Sequence, residues 1–206
     1  MLNTTVTSNK MKALYHFIVR IPKTHRDTIT VGETELYLDP KFNEFENRVC
    51  YGEVVSLPIK QGSPVKVGDT MFFHHHVSMN KRLKINDDLY MVVYDPDNGY
   101  NSHAIAFRNS EGKVIMLSDW IFIEPIEQRK ELKSELLEIV EVDKGEAKRG
   151  KVMMTNEELE YRGLNVGDTV VFMKSADYKM VLDDGTEVWR MKADDLIYVE
   201  EEVHND

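Results

Sequence analysis

The sequence predicts an all-β protein built from two related halves, and three observations carry that expectation. Strand-like runs such as FIVRI, GEVVSL, TMFF and AIAF are short, rich in β-branched and aromatic residues, and bounded by turn residues. One ordered pattern occurs twice: a glycine-led strand, a Val-Gly-Asp turn, a second strand, an acidic turn and a closing strand. Only one stretch, IEQRKELKSELL from Ile126 to Leu137, carries a helical signal, and it is charged with few apolar positions.

The first half opens with a strand over His16–Arg20 and a polar interval, Thr28–Val49, rich in Thr, Glu, Asp and Asn. The glycine-strand YGEVVSL then begins at Tyr51 and leads to VKVGDTMFF (Val65–Phe73). In the Val-Gly-Asp turn glycine supplies positive φ, and Asp can bond to nearby backbone. The turns DPDNG (Asp95–Gly99) and NSEG (Asn109–Gly112) follow, and the half closes with VIMLSDWIFIEP (Val114–Pro125).

The second half runs through RGKVMMT from Arg149, LNVGDTVVF (Leu164–Phe172), the LDDG turn (Leu182–Gly185) and VWRMKADDLIYVEE (Val188–Glu201). It contains little that corresponds to the polar interval: LLEIVEVDKGEAKRG passes from first strand to glycine-strand through a tight DKGE turn. Strands this short and regular predict a small closed or partly closed barrel in each half. The expected organisation is a first barrel over residues 1–125, a linker or short helix over 126–136 and a second barrel over 137–206.

Composition bounds the function classes. The chain has 206 residues, 36 Asp+Glu and 26 Lys+Arg, an acidic balance that disfavours nucleic acid as a partner. Its single cysteine, Cys50, precludes an internal disulfide framework. No apolar run approaches the ~20 residues that cross a bilayer. The start MLNTTVTSNKMK has no apolar signal region, so the chain reads as cytoplasmic. Enzyme signatures (GxGxxG, GxxxxGK[ST], HExxH, GxSxG) are missing, and the acidic pairs Asp87-Asp88, Asp183-Asp184 and Asp194-Asp195 sit in turns. The reading is non-enzymatic, without catalytic residues or cofactors.

The ordered motifs resemble the GroES-type co-chaperonins. Gly52-Glu53-Val54-Val55, Val65-Lys66-Val67-Gly68-Asp69 and Asp119-Trp120-Ile121-Phe122-Ile123-Glu124 match the family's order in the first half. Arg149-Gly150-Lys151-Val152, Val166-Gly167-Asp168-Thr169-Val170-Val171-Phe172 and Asp195-Leu196-Ile197-Tyr198-Val199-Glu200 match it in the second. The resemblance implies two GroES-like barrels in tandem, self-association into a ring, and docking onto a chaperonin through a loop bearing a small apolar tripeptide. Thr28–Val49 stands in that loop's place, and Leu36, Tyr37 and Leu38 in the tripeptide's. Such a segment can order on a partner and bury its apolar residues. It can equally form a β-hairpin on its own barrel. The family's Gly-Gly before the tripeptide is absent, with only Gly32 preceding it. A structural or assembly component of a large particle, virion-associated in that case, therefore stands beside the cap as the second functional reading.

Three consecutive histidines, His74 to His76, open an insertion over 74–103. From Asp69 to Asp119 the first half spends 50 residues, where Asp168 to Asp195 spends 27 in the second. In extended chain His74 and His76 face one side and His75 the other. His74 and His76 are thereby candidate metal ligands, with His103 across the sheet. No cysteine or carboxylate at ligand spacing completes a set, so the expectation is no metal and a polar strand end. The expected sheet edges, available for pairing between subunits, are His16–Arg20 and Trp120–Glu124.

Overall fold

The computed structural model describes residues 11–26, 28–31, 34–37, 47–96, 101–126 and 148–200. Among these the chain is predominantly β. In the first half the strands are β1 (Phe17–Arg20), β2 (Thr28–Val31), β3 (Thr34–Tyr37), β4 (Tyr51–Ser56), β5 (Thr70–Phe73), β6 (Leu89–Val92), β7 (Ala104–Arg108), β8 (Val114–Met116) and β9 (Trp120–Pro125). They continue with β10 (Lys148–Met154), β11 (Thr169–Phe172), β12 (Tyr178–Val181), β13 (Glu187–Lys192) and β14 (Leu196–Glu200). Two short helices, α1 (His76–Met79) and α2 (Glu157–Tyr161), interrupt them. All of the helical candidate Ile126–Leu137 but its first residue, and the DKGE turn, lie outside the described residues.

Two antiparallel six-stranded sheets result, ordered β6-β1-β4-β5-β7-β8 and β12-β13-β9-β10-β11-β14. The doubled motif is real at the level of hydrogen bonds. In the first half Val54 N–H donates to the Asp69 carbonyl and Gly68 N–H to the Val54 carbonyl; in the second, Val152 and Asp168, then Gly167 and Val152, repeat both bonds. Asp69 Oδ2 accepts from Lys66 N–H and Asp168 Oδ2 from Asn165 N–H, each at 2.7 Å. Gly68 and Gly167 hold φ of 94° and 97°, the left-handed region that glycine enters without steric cost. The strand glycines are equivalent too. A Cβ on Gly52 would stand 2.5 Å from the Arg20 carbonyl oxygen, and one on Gly150 3.1 Å from that of Glu124.

That last pairing assigns β9 to the second sheet. The counterpart of β1, lying against the glycine-strand of the second half, is β9: Ile123 pairs with Val152 as Val19 pairs with Val54. β9 belongs by sequence to residues 1–125, yet it sits between β13 and β10. With it gone from the first half, β5 pairs with β7, whereas β11 pairs with β14. Of the closed or partly closed barrels expected, no closed one forms among the described residues: each sheet is open, ending in β6 and β8 or in β12 and β14.

Neither predicted edge is an edge. β1 lies between β4 and β6, and β6 comes from the insertion, whose Leu89–Val92 hydrogen-bonds along its length. β9 is central in its sheet. The reason is apolar content. Phe17, Val19, Ile121, Phe122 and Ile123 are almost wholly buried, and strands of that composition are stabilised inside a sheet rather than at its rim.

The two sheets share a core. Phe72, Ile105, Ala106 and Met116 of the first pack with Trp120, Phe122, Met180 and Val188 of the second, around the buried Cys50. Arg108 on β7 ties them at the surface, its guanidinium 2.9 Å from Asp183 and 2.6 Å from Asp184. No helix among the described residues is long and apolar enough to cross a membrane.

Candidate functional site

Two places merit attention: the segment 28–49 and the histidines. In the first, β2 and β3 form a two-stranded hairpin, Ile29 opposite Leu36, that joins neither six-stranded sheet. Its stem is zipped. Val49 N–H donates to the Thr24 carbonyl, Arg26 N–H to that of Asn47, and His25 bridges to Arg48, so both arms leave the body together. β-Branched residues at Thr28, Ile29, Thr30 and Val31 suit the extended arm. On the returning arm Leu36 is 46% exposed and Tyr37 86% exposed. Residues 28–31 and 34–37 therefore form a hairpin, but one that does not bury these two side chains on its own sheet. Leu38 lies outside the described residues.

The histidines are not extended. After β5 the backbone turns at His75, with φ −53° and ψ −25°, into α1. This folds all three rings onto one side, with potential ligand atoms within 4.8 Å of one another. His103 packs beside them, its ring centroid 6.1 Å from that of His74, and His74 N–H donates to the His103 carbonyl at 2.9 Å. The alternation expected for a strand, and with it the pairing of His74 and His76 alone, is thus overturned. Three histidines in sequence gave no signal of a helical turn, because four residues are too few for a helical period to show.

The chemistry of this cluster is set by Arg190 on β13, which sequence reasoning did not single out. Arg190 is 2% exposed; its guanidinium lies 5.4 Å from the Trp120 ring centre and 5.0 Å from that of Tyr178, and donates to His75 Nδ1 at 2.9 Å. Guanidinium only donates, so His75 Nδ1 must accept and the neutral ring carries its proton on Nε2. Burial, then the positive charge of Arg190, lowers His75 to about 4. The same causes in the same order hold His74 far below the ordinary imidazole range, and burial lowers His103. Burial also brings Arg190 itself down to about 10 and pushes the Cys50 thiol up to about 11.

These facts bear on a metal. His74 Nδ1 accepts from the His76 backbone N–H at 3.2 Å, and His75 Nδ1 faces Arg190. A cation bound at either Nε2 would require protons on those occupied nitrogens, and it would sit beside an existing positive charge. The donor set therefore fits a dication poorly. The arrangement is a histidine cluster in which His74 and His75 are held neutral and His75 is hydrogen-bonded to a buried arginine, joining the end of β5 to the opposite sheet.

No protein-family model matches the chain, and comparison with curated proteins finds no match.

Proposed function

We propose that the protein is a non-enzymatic, ring-forming cap of the co-chaperonin type, which docks onto a larger chaperonin through the hairpin of segment 28–49. The observation that carries this reading is the exposure of Leu36 and Tyr37 on a hairpin separate from both sheets. Fully burying an exposed apolar side chain is worth ~1.5–3 kcal/mol; a partner groove would supply much of that at Tyr37 and about half of it at Leu36, which is already half-buried. A ring presents several hairpins at once, so weak single contacts add through effective concentration. In this reading the two open sheets are divergent forms of the GroES-like barrel, supported by the doubled Val-Gly-Asp hairpin with its matching hydrogen bonds.

Self-association falls to the free edges. Among the described residues β14 pairs only with β11, and Ile197, Tyr198 and Val199 on it are all exposed. That same edge favours the second reading, an oligomeric structural or assembly component of a larger particle, in which edge pairing matters more than the hairpin.

Electron microscopy of the protein alone and with a chaperonin plus nucleotide separates the two. The cap reading expects rings that seat on the chaperonin's end and fail to do so when Leu36→Ser and Tyr37→Ser are combined. Rings indifferent to chaperonin support the assembly reading, and a monodisperse monomer at micromolar concentration refutes both.

A further inference from the structure

The strand β8 ends its sheet, and its hydrogen bonds show which way its amides point. Leu117 N–H donates to the Ile105 carbonyl (2.8 Å) and Asn109 N–H to that of Lys113 (3.0 Å). In the antiparallel register Phe107 faces Ile115 as the bonded pair between them. Val114 and Met116 alternate with these positions, so their N–H and C=O groups turn away from β7. On that side no strand of the described residues lies.

What lies there is a cleft of about 770 Å³. One wall is β8 with the turn that follows it; the other is the end of β10 and the start of α2. The floor is apolar and adaptable, with Met116, Met153 and Met154. Ser118 and Thr155 belong to its lining, with their hydroxyl oxygens buried beneath the surface and without a hydrogen-bond partner among the described residues. The walls are tied together at one point by Asn156, whose side-chain amide donates to the Ser118 carbonyl while its Oδ1 accepts from Leu159 N–H at 2.9 Å. At the mouth stand Glu157 and Glu160, both exposed, with Glu158 engaged by Arg162 and a single exposed lysine, Lys113, at the end of the β8 wall.

We propose that this cleft binds an extended segment of a partner protein, which adds to β8 as a strand, sets apolar side chains on the three methionines and places a lysine or arginine against Glu157 and Glu160. An unpaired strand edge calls for backbone, the methionine floor for alternate apolar side chains, and the glutamates for positive charge. A second copy of this chain suits it less well. The formal net charge is −10, and the exposed strand β14 ends in glutamate. The inference does not depend on the capping role, since the hairpin β2–β3 takes no part in it.

The test uses the full chain and a short fluorescein-labelled peptide that alternates valine with threonine and ends in lysines. Fluorescence anisotropy should report saturable binding, weakened about tenfold or more when the lysines become glutamates. N-methylation at every second peptide amide should abolish binding in one phase and spare it in the other, because only one set faces β8. In the Glu157→Lys, Glu160→Lys variant the charge preference should invert. Hydrogen exchange should slow at Val114 and Met116 only when peptide is added. Binding indifferent to the phase of N-methylation, or to peptide charge, overturns the proposal. So does protection of those amides without peptide: at dilute protein it would mean that the chain's own segment covers β8, and on concentration that a second copy does.

Discussion

Acidification should weaken this protein through His75, by an amount the structure sets. The folded chain holds His75 neutral down to about pH 4 because it is buried and faces Arg190, with His76 and Arg48 adding to the effect. In the unfolded chain it titrates near the ordinary 6.5. A folded value below the unfolded one means that its stabilising contribution is complete above pH ~6.5 and is lost as the pH falls towards 4. The interval from 6.5 to about 4 corresponds to about 3 kcal/mol, with His74 and His103 adding in the same direction. Urea unfolding at a series of pH values measures it; with a slope of roughly 2–3 kcal/mol/M the midpoint should fall by about 1 M. Carboxylates also titrate in this range, so the control is His75→Asn, whose side-chain oxygen can still accept from Arg190 but cannot be protonated. The difference between the two proteins should be small at pH 7.5 and should shift by about 3 kcal/mol in favour of the variant at pH 4. Parallel pH profiles for wild type and variant would refute the reasoning.

Leu36→Ser combined with Tyr37→Ser should lower the melting temperature by only about 2–4 °C, since Leu36 is half-buried and Tyr37 largely exposed, while abolishing partner binding. A large loss of stability with binding retained would count against the docking role. Gly52→Ala should cost roughly 1–3 kcal/mol because the new methyl meets the rigid Arg20 carbonyl. Gly150→Ala should cost less, as the atoms at 3.0–3.2 Å include the movable ends of Ile123 and Phe172; calorimetry that ranks them the other way would break the proposed equivalence of the two hairpins. Replacing His74 and His76 together by Gln should leave the fold and metal content unchanged by elemental analysis of untagged protein. Stoichiometric zinc that the double variant loses would reverse the assignment of the cluster.

What the sequence by itself determined is local. The Val-Gly-Asp hairpins were legible because their causes lie within a few residues: a glycine that takes positive φ, an aspartate that bonds backbone three positions back, and a strand glycine that admits a close neighbour. The all-β class follows from the same local signals. What only the tertiary structure decided is non-local. Nothing in WIFIEP says that it pairs with β10 and β13 rather than closing the first half, for strand pairing depends on which apolar faces can be buried together across the whole molecule. Nor does LYMV announce that it will cover β1 and remove the expected edge. Arg190 meets His75 across 115 residues, and a buried guanidinium facing an imidazole is visible only once both sheets are in place. Local backbone preference is written in neighbouring residues; desolvation, which sets the histidines' chemistry here, is a property of the packed whole.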